Sequence, residues 1–167
     1  MKDVKILPSF LKGDVKIPPS KSLCHRAIIA AALSQGQSTI NNVVLSEDIL
    51  ATIGGVRALG ALVTIHQDKL IIEGGALVAQ SNCIIDCNES GSTLRFLMPL
   101  GLLSETAISY IGKGNLGNRP LEPYIEIFKD LGVFYSDIQL PMTISGRLKP
   151  GIFKINGNIS SQFVTGL

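Results

Sequence analysis

The 167-residue sequence predicts an α/β (α+β) fold made from a repeated β-α-β-α-β-β unit. Two observations carry that prediction. Apolar residues switch back and forth between helical and alternating spacing, and Gly or Pro marks most of the switches. The pattern then begins again about 70 residues later: Leu59-Gly60 is matched by Leu131-Gly132, Ser22-x-x-x-Arg26 by Gly91-x-x-x-Arg95, and Ser22 by Ser92 and again by Ser161. A hydrophobic fraction of 46% against 17% charged residues supplies a core for such layers and excludes disorder.

Residues 1–7 read as a short strand ended by Pro8, and 13–17 as a second strand stopped by Pro18 and Pro19. The Ala/Ile/Leu run that follows predicts a helix over 22–33, with Gly36 just past its end. A strand is expected over 38–43. Ser46 caps a second helix, with Glu47 and Asp48 in its first turn, where the dipole favours acids. Ile49, Ile53, Val56 and Leu59 repeat there at helical spacing until Gly60. Strands 61–66 and 69–73 flank a turn at Asp68. The second unit has a strand at 83–86, a Ser/Gly turn at 88–92, a helix over 93–103 kinked by Pro99, and a strand at 107–111. It continues with a helix that opens on Pro120 and closes at Leu131-Gly132, then strands 133–136 and 142–145. A third unit starts with strand 152–155, a turn at 156–161 and the beginning of a helix. It stops at Leu167, and a repeat halted inside its first helix predicts the front part of a longer protein. The three repeats fall at about 17–78, 79–147 and 148–167.

Several function classes drop out. Net charge is +2, without a Lys/Arg cluster, and Trp is absent, so no nucleic-acid surface is expected. The longest uncharged stretch, 27–46, contains Ser34, Gln35, Gly36, Gln37, Asn41 and Asn42 and is no membrane helix. Three cysteines and no secretory signal predict a reduced, cytoplasmic compartment. Cys83 and Cys87 lack the further ligands of a zinc site, so no metal is expected, and Cys24 reads as a small buried residue. Gly112, Gly114, Gly117 and Asp137 have the spacing of a dinucleotide fingerprint. The next helix opens only after these glycines, so no nucleotide cofactor is expected. His25 and His66 have no paired ligand or nucleophile, and His25 reads as a surface or capping residue.

The stretch from Pro18 to Arg26 carries the chemistry. Two prolines stiffen the entry to Ser20-Lys21-Ser22, which opens a helix. Free N–H groups and the positive end of the helix dipole suit an anion there, and Lys21 adds a mobile charge. Ser22 and Arg26, four apart, share a helix face. The equivalent turns of the later units carry Arg95 and Ser160-Ser161. A further turn, 112–119, ends in Arg119. If the units pack side by side, these turns face one cleft suited to a small polyanion. Plainer readings stand beside this: Ser20 as an N-cap only, Lys21 and Arg26 as solvated charges, Arg95 aimed at a structural carbonyl. Glu89 would repel an anion and is expected to point away or to meet an Arg.

Four stretches complete the picture: Pro-Pro-Ser-Lys-Ser-x-x-x-Arg-Ala from Pro18, Glu-Ser-Gly-Ser-Thr-Leu-Arg-Phe from Glu89, Asn118-Arg119-Pro120-Leu121, and Gly157-Asn158-Ile159-Ser160-Ser161-Gln162-Phe163. In kind and order the sequence resembles the 5-enolpyruvylshikimate-3-phosphate synthases (3-phosphoshikimate 1-carboxyvinyltransferases) across roughly the first two-fifths of that family's length. The resemblance implies the enolpyruvyl transferase fold, an inside-out α/β barrel-like arrangement in two lobes of three repeats, with the active site between them. Residues 17–167 would be the first lobe and 1–16 would belong with the second. It also implies a transferase of the shikimate pathway of aromatic amino-acid biosynthesis, joining phosphoenolpyruvate to shikimate 3-phosphate without a cofactor. Lys21 would contact both substrates and assist catalysis. Ser22, Arg26, Ser160, Ser161 and Gln162 would hold shikimate 3-phosphate, Gln162 also lying near phosphoenolpyruvate, and Gly91 and Arg119 would lie at phosphoenolpyruvate. The family's acid/base carboxylates come from the second lobe. Glu89-Ser90 depart from the Asn and small residue that many members carry there. The alternatives are the sister enzyme acting on UDP-N-acetylglucosamine and an anion-binding module without catalysis. The full-length enzyme is expected to be monomeric, and an incomplete repeat leaves strand edges and apolar surface open to self-association.

Overall fold

A computed structural model describes residues 3–5, 7, 8, 10 and 12–167. The chain folds in the order α1 (Lys21–Leu33), β1 (Gly36–Ile40), α2 (Glu47–Ala58), β2 (Leu62–His66), β3 (Lys69–Gly74), β4 (Cys83–Asp86), α3 (Gly91–Gly101) and β5 (Ile108–Ile111). A 3-10 turn (Gly114–Asn118) leads to α4 (Glu122–Leu131), β6 (Phe134–Tyr135), β7 (Met142–Ser145) and α5 (Ser161–Gly166). The first sheet is antiparallel in the order β1-β3-β2, its β2–β3 hairpin closed at His66↔Lys69 around Gln67 in the left-handed region, φ 50°. The second runs β4-β5-β7-β6, with β4–β5 parallel and the other pairs antiparallel.

Packing follows the apolar periods. Ile28 and Ala32 of α1, Ile49, Ile53 and Val56 of α2, and Leu94, Leu97 and Met98 of α3 are buried in one continuous core with Leu70, Ile72, Ile85 and Ile108 of the sheets. α2 packs against both α1 and α3, and α5 packs on α3. The starts of α1, α2, α3 and α5 are thereby fixed relative to one another by the core itself. Gly74 shows how closely α1 sits on its sheet. A Cβ there would lie 2.6 Å from the carbonyl oxygens of Ala32 and Ser34 and closer still to that of Ala31. Only a residue without a side chain lets the end of α1 approach β3 so nearly.

Pro99 does not end α3, which runs on to Gly101. A proline at 99 frees the carbonyl of Arg95, four residues earlier, from its helical partner. The buried hydroxyl of Tyr124 on α4 lies 2.7 Å from that oxygen and donates to it. The helix defect is thus satisfied from a neighbouring element.

Three sequence expectations need correction. Residues 13–17 and 152–155 alternate as strands should but have no ladder partner. Val15 and Ile17 are exposed, and so is Ile152, while Phe153 and Ile155 turn their side chains to the core. The helix expected to open on Pro120 begins at Glu122, with Pro123 in its first turn. The Pro120 carbonyl instead accepts from Arg95 Nη2 at 3.3 Å. The strand expected over 1–7 lies partly outside the described residues, and Asp3, Val4, Lys5 and Leu7 are not in a strand.

Gly74→Ala is expected to destabilise the fold by about 1–3 kcal/mol, the usual cost of overpacking against groups that cannot move aside. The fall in the urea midpoint checks it; an unchanged midpoint would mean that α1 can retreat from β3.

Candidate functional site

Serines open three helices at equal intervals. Ser20, Ser90 and Ser160, 70 residues apart in turn, are the N-caps of α1, α3 and α5. Their hydroxyls accept from Leu23 N at 3.4 Å, Thr93 N at 3.2 Å and Gln162 N at 3.2 Å. Each cap answers one of the free donors of its first turn and leaves others directed outward beside the following residues: Lys21 and Ser22, Gly91 and Ser92, Ser161 and Gln162.

Side-chain contacts join these turns. Lys21 Nζ donates to Asp48 Oδ2 in the first turn of α2. Arg26 reaches back to the Ser22 carbonyl at 3.0 Å and across to Thr165 Oγ1 at 3.2 Å, with its guanidinium 5.1 Å from the Phe96 ring centre. Thr165 in turn donates to the Ser161 carbonyl at 3.1 Å. Gly91 is buried under Arg119: a Cβ on it would lie 2.5 Å from Nη1. Gln162 is gripped at both ends of its amide. Nε2 donates to Ser92 Oγ at 2.8 Å and Oε1 accepts from Arg95 Nη1 at 2.9 Å. Lys21, Ser22, Arg119 and Ser161 are exposed, Arg26, Ser160 and Gln162 half-buried. Arg95 is the structural member: buried, 4.6 Å from the Phe163 ring centre, and spent on Gln162 and the Pro120 carbonyl. Burial lowers its pKa, and the like charge of Arg119 adds to that. Glu89 is exposed and turns to Gly114 rather than to an arginine.

One group of polar residues was not anticipated. His25 is buried, not the surface or capping residue expected. Its Nδ1 lies 2.7 Å from Thr52 Oγ1, which lies 2.7 Å from Thr93 Oγ1, which lies 2.7 Å from the Ser90 capping hydroxyl. The Asp48 carbonyl accepts from both threonines at 3.3 Å. The signal for it was in the periods. His25 lies on the α1 stripe that carries Ile28 and Ala32, and Thr52 on the α2 stripe between Ile49 and Val56.

A sequence model for EPSP synthase (3-phosphoshikimate 1-carboxyvinyltransferase) matches residues 7–167. The chain belongs to the EPSP synthase family. The 3-phosphoshikimate 1-carboxyvinyltransferase of Clostridium perfringens (strain ATCC 13124) is 56% identical over 170 residues, covering 100% of this chain and 40% of its own length. The namesake from Clostridioides difficile (strain 630) is 51% identical over 179 residues, covering 100% and 41%. The chain thus spans about two-fifths of the length of these EPSP synthase relatives. The solved EPSP synthase of Acinetobacter baumannii superposes with a TM-score of 0.74 at 21% identity, over 92% of this chain and 37% of that one, and shows the shared enolpyruvyl transferase fold.

The described residues also bear on metals, membranes and thiols. No three His, Cys, Asp or Glu side chains gather as metal ligands among them, and no helix is long and apolar enough to cross a membrane. Cys24, Cys83 and Cys87 are free, and burial raises each thiol, Cys87 up to about 12 with Asp86 adding to the effect, so none is poised as a nucleophile. Cys24 is half-buried. A cavity of about 740 Å³ lies away from the serine turns, between α4 and residues 149–154.

Burial holds the His25 pKa below 6.5, and Lys21 and Arg26 push the same way against the opposing charge of Asp48. A second ring proton would also put Nε2–H where it has no partner. The unfolded chain titrates near 6.5, above the folded value, so this stabilisation is complete above about pH 6.5 and is lost as pH falls from there toward the folded pKa. Unfolding midpoints measured between pH 7.5 and 5 should fall with acid, and His25→Asn should flatten that fall. A slope unchanged by the substitution would assign it to other groups.

Proposed function

We propose that this chain supplies half of the active site of an enzyme that transfers the enolpyruvyl group of phosphoenolpyruvate to shikimate 3-phosphate and releases phosphate. One observation carries the reading: Ser92 and Gln162, 70 apart in sequence, hydrogen-bond where α3 and α5 open, Arg119 lies over Gly91 in the same turn, and Arg26 beside the opening of α1 reaches Thr165 of α5. Uncapped N–H groups, helix dipoles and cations on one surface suit two phosphorylated, carboxylated metabolites.

The roles follow from position. Ser22, Arg26, Ser160, Ser161 and Gln162 hold shikimate 3-phosphate, the Arg95–Ser92 grip fixing which end of the Gln162 amide donates. Gly91 and Arg119 hold phosphoenolpyruvate. The absence of a side chain at Gly91 lets both Arg119 and the ligand approach the α3 opening. Lys21 contacts both substrates. It pairs with Asp48, the lysine more than half exposed and the carboxylate half-buried, and solvent screening of the ammonium keeps such a pair to about 1 kcal/mol, so an arriving anion can share the ammonium at little cost. The reaction is an addition followed by an elimination. The shikimate hydroxyl gives up its proton to a base as its oxygen bonds to the enol carbon, while the methylene gains a proton from an acid; phosphate then leaves and the methyl group loses a proton to restore the double bond. Lys21 and Arg119 stabilise the phosphate and carboxylate charges through both steps. The proton transfers need acid/base groups, which in this reading a second lobe supplies. In this reading residues 17–167 form the first lobe, 1–16 pack with the second, and the enzyme works in the cytoplasm as a monomer.

Two measurements test it. Shikimate 3-phosphate should bind the 167-residue chain in calorimetry. Lys21→Ala should weaken binding by about 1.5–3 kcal/mol, the range for hydrogen bonds to charged groups. Binding indifferent to Lys21 would remove it from the site. A coupled phosphate-release assay with both substrates should show no turnover by the 167-residue chain; normal turnover would refute the assignment of the acid/base groups elsewhere.

A further inference from the structure

The buried chain running from His25 through Thr52 and Thr93 to Ser90 has almost no exposed surface, yet both of its ends adjoin a residue of the proposed site. His25 stands beside Arg26, and Ser90 caps the helix that Gly91 begins. The carbonyl shared by the two threonines belongs to Asp48, whose carboxylate holds Lys21. His25, Thr52, Thr93 and Ser90 are all at most 2% exposed. Apolar packing would fill this space without fixing direction, whereas a hydroxyl chain at 2.7 Å spacing tolerates one arrangement.

The protons can be counted. The contacts are His25–Thr52, Thr52–Thr93, Thr93–Ser90 and one from each threonine to the Asp48 carbonyl. Ser90, Thr93 and Thr52 supply one proton each. With the His25 proton on Nδ1, four protons are available to the five contacts, so four can be made at once, and Nε2 keeps only a lone pair without a partner. With the proton on Nε2, three remain and a buried N–H goes unanswered. The network therefore selects the neutral Nδ1–H form, with His25 as the donor at the head of the chain.

We propose that His25 is a positioning residue: its Nδ1–H orders the Thr52–Thr93–Ser90 hydroxyls, and through them holds the openings of α1, α2 and α3 in the one register that brings Lys21 and Gly91 to a common ligand. The role in ligand binding rests on the functional reading above; the ordering of the helix openings does not.

The test uses the 167-residue chain with His25→Leu, His25→Asn, Thr52→Val and Thr52→Ser. His25→Leu and Thr52→Val break the chain with little change of bulk. His25→Asn and Thr52→Ser keep a hydrogen-bonding group at the same point, and His25→Leu probes the same link should Thr52→Val not fold. Amide exchange without ligand is followed at Leu23 and Thr93, whose N–H groups meet the caps, and at Leu70 and Ile72 inside β3. The breaking variants should raise exchange at Leu23 and Thr93 about tenfold, as for the loss of one buried hydrogen bond, and leave Leu70 and Ile72 unchanged; the keeping variants should stay near wild type. Unchanged exchange at the caps, equal acceleration in β3, or failure of His25→Asn to restore the wild-type pattern would overturn the proposal. Calorimetry with shikimate 3-phosphate reads the consequence: about tenfold weaker binding for the breaking variants and wild-type binding for the others. Wild-type affinity in His25→Leu and Thr52→Val would also overturn it. If the unmodified chain binds no shikimate 3-phosphate while the exchange pattern holds, the functional reading falls and the ordering role of His25 stands.

Discussion

A helix cannot satisfy its own first N–H groups, and the arrangement of this chain follows from that constraint. α1, α3 and α5 each spend one serine hydroxyl on a single donor and leave the rest of the first turn open. Such an end buried in a core would be costly, and set alone on a surface it would be an ordinary cap. Here the core packs α2 between α1 and α3 and sets α5 on α3. Several incomplete ends are therefore grouped, and a grouping of donors and positive dipole ends has a use for negative charge.

The arginines divide into two kinds. Arg26 and Arg119 stay at the surface: Arg119 is exposed over Gly91, and Arg26 is half-buried, its guanidinium held by contacts to the Ser22 carbonyl and the Thr165 hydroxyl. Arg95 is withdrawn into the protein, where it ties Gln162 and the approach to α4 together and stacks on Phe163. A guanidinium so placed fixes the Gln162 amide from behind and presents little of itself to the surface. Sequence spacing alone gives Arg26 and Arg95 the same address, four residues after their repeat markers. Burial and partners separate them, and those depend on what the following elements bring.

Legibility followed the same division. Elements whose signals were local were readable: the Ser46 cap, the Gly132 stop in the left-handed region and the 83–86 and 142–145 strands lie where period and punctuation put them. Segments whose identity depends on a partner were not. Residues 13–17 and 152–155 alternate correctly, but a strand exists only with a neighbour. At the candidate site, the turns of Lys21, Ser22, Arg26, Gly91 and residues 160–162 stood out in the sequence because chemistry and repetition coincide there, while the ligand roles proposed for them and for Arg119 came only with the family resemblance. His25 was misjudged because a lone polar residue in an apolar run says nothing about who waits opposite. Its partner Thr52 comes from another helix and Thr93 from another repeat, so only the folded chain brings them to 2.7 Å.

Pro99 shows how a backbone fault can become a joint. A helix without proline keeps its carbonyls to itself and offers neighbours only its side chains. By withholding one amide proton, Pro99 turns the oxygen of Arg95 into a socket, and the phenol of Tyr124 plugs it. α4 is thus latched to the spine of α3 itself, at the residue whose side chain grips Gln162. A pull on that latch acts on the α3 backbone at the very residue whose guanidinium steadies the Gln162 amide.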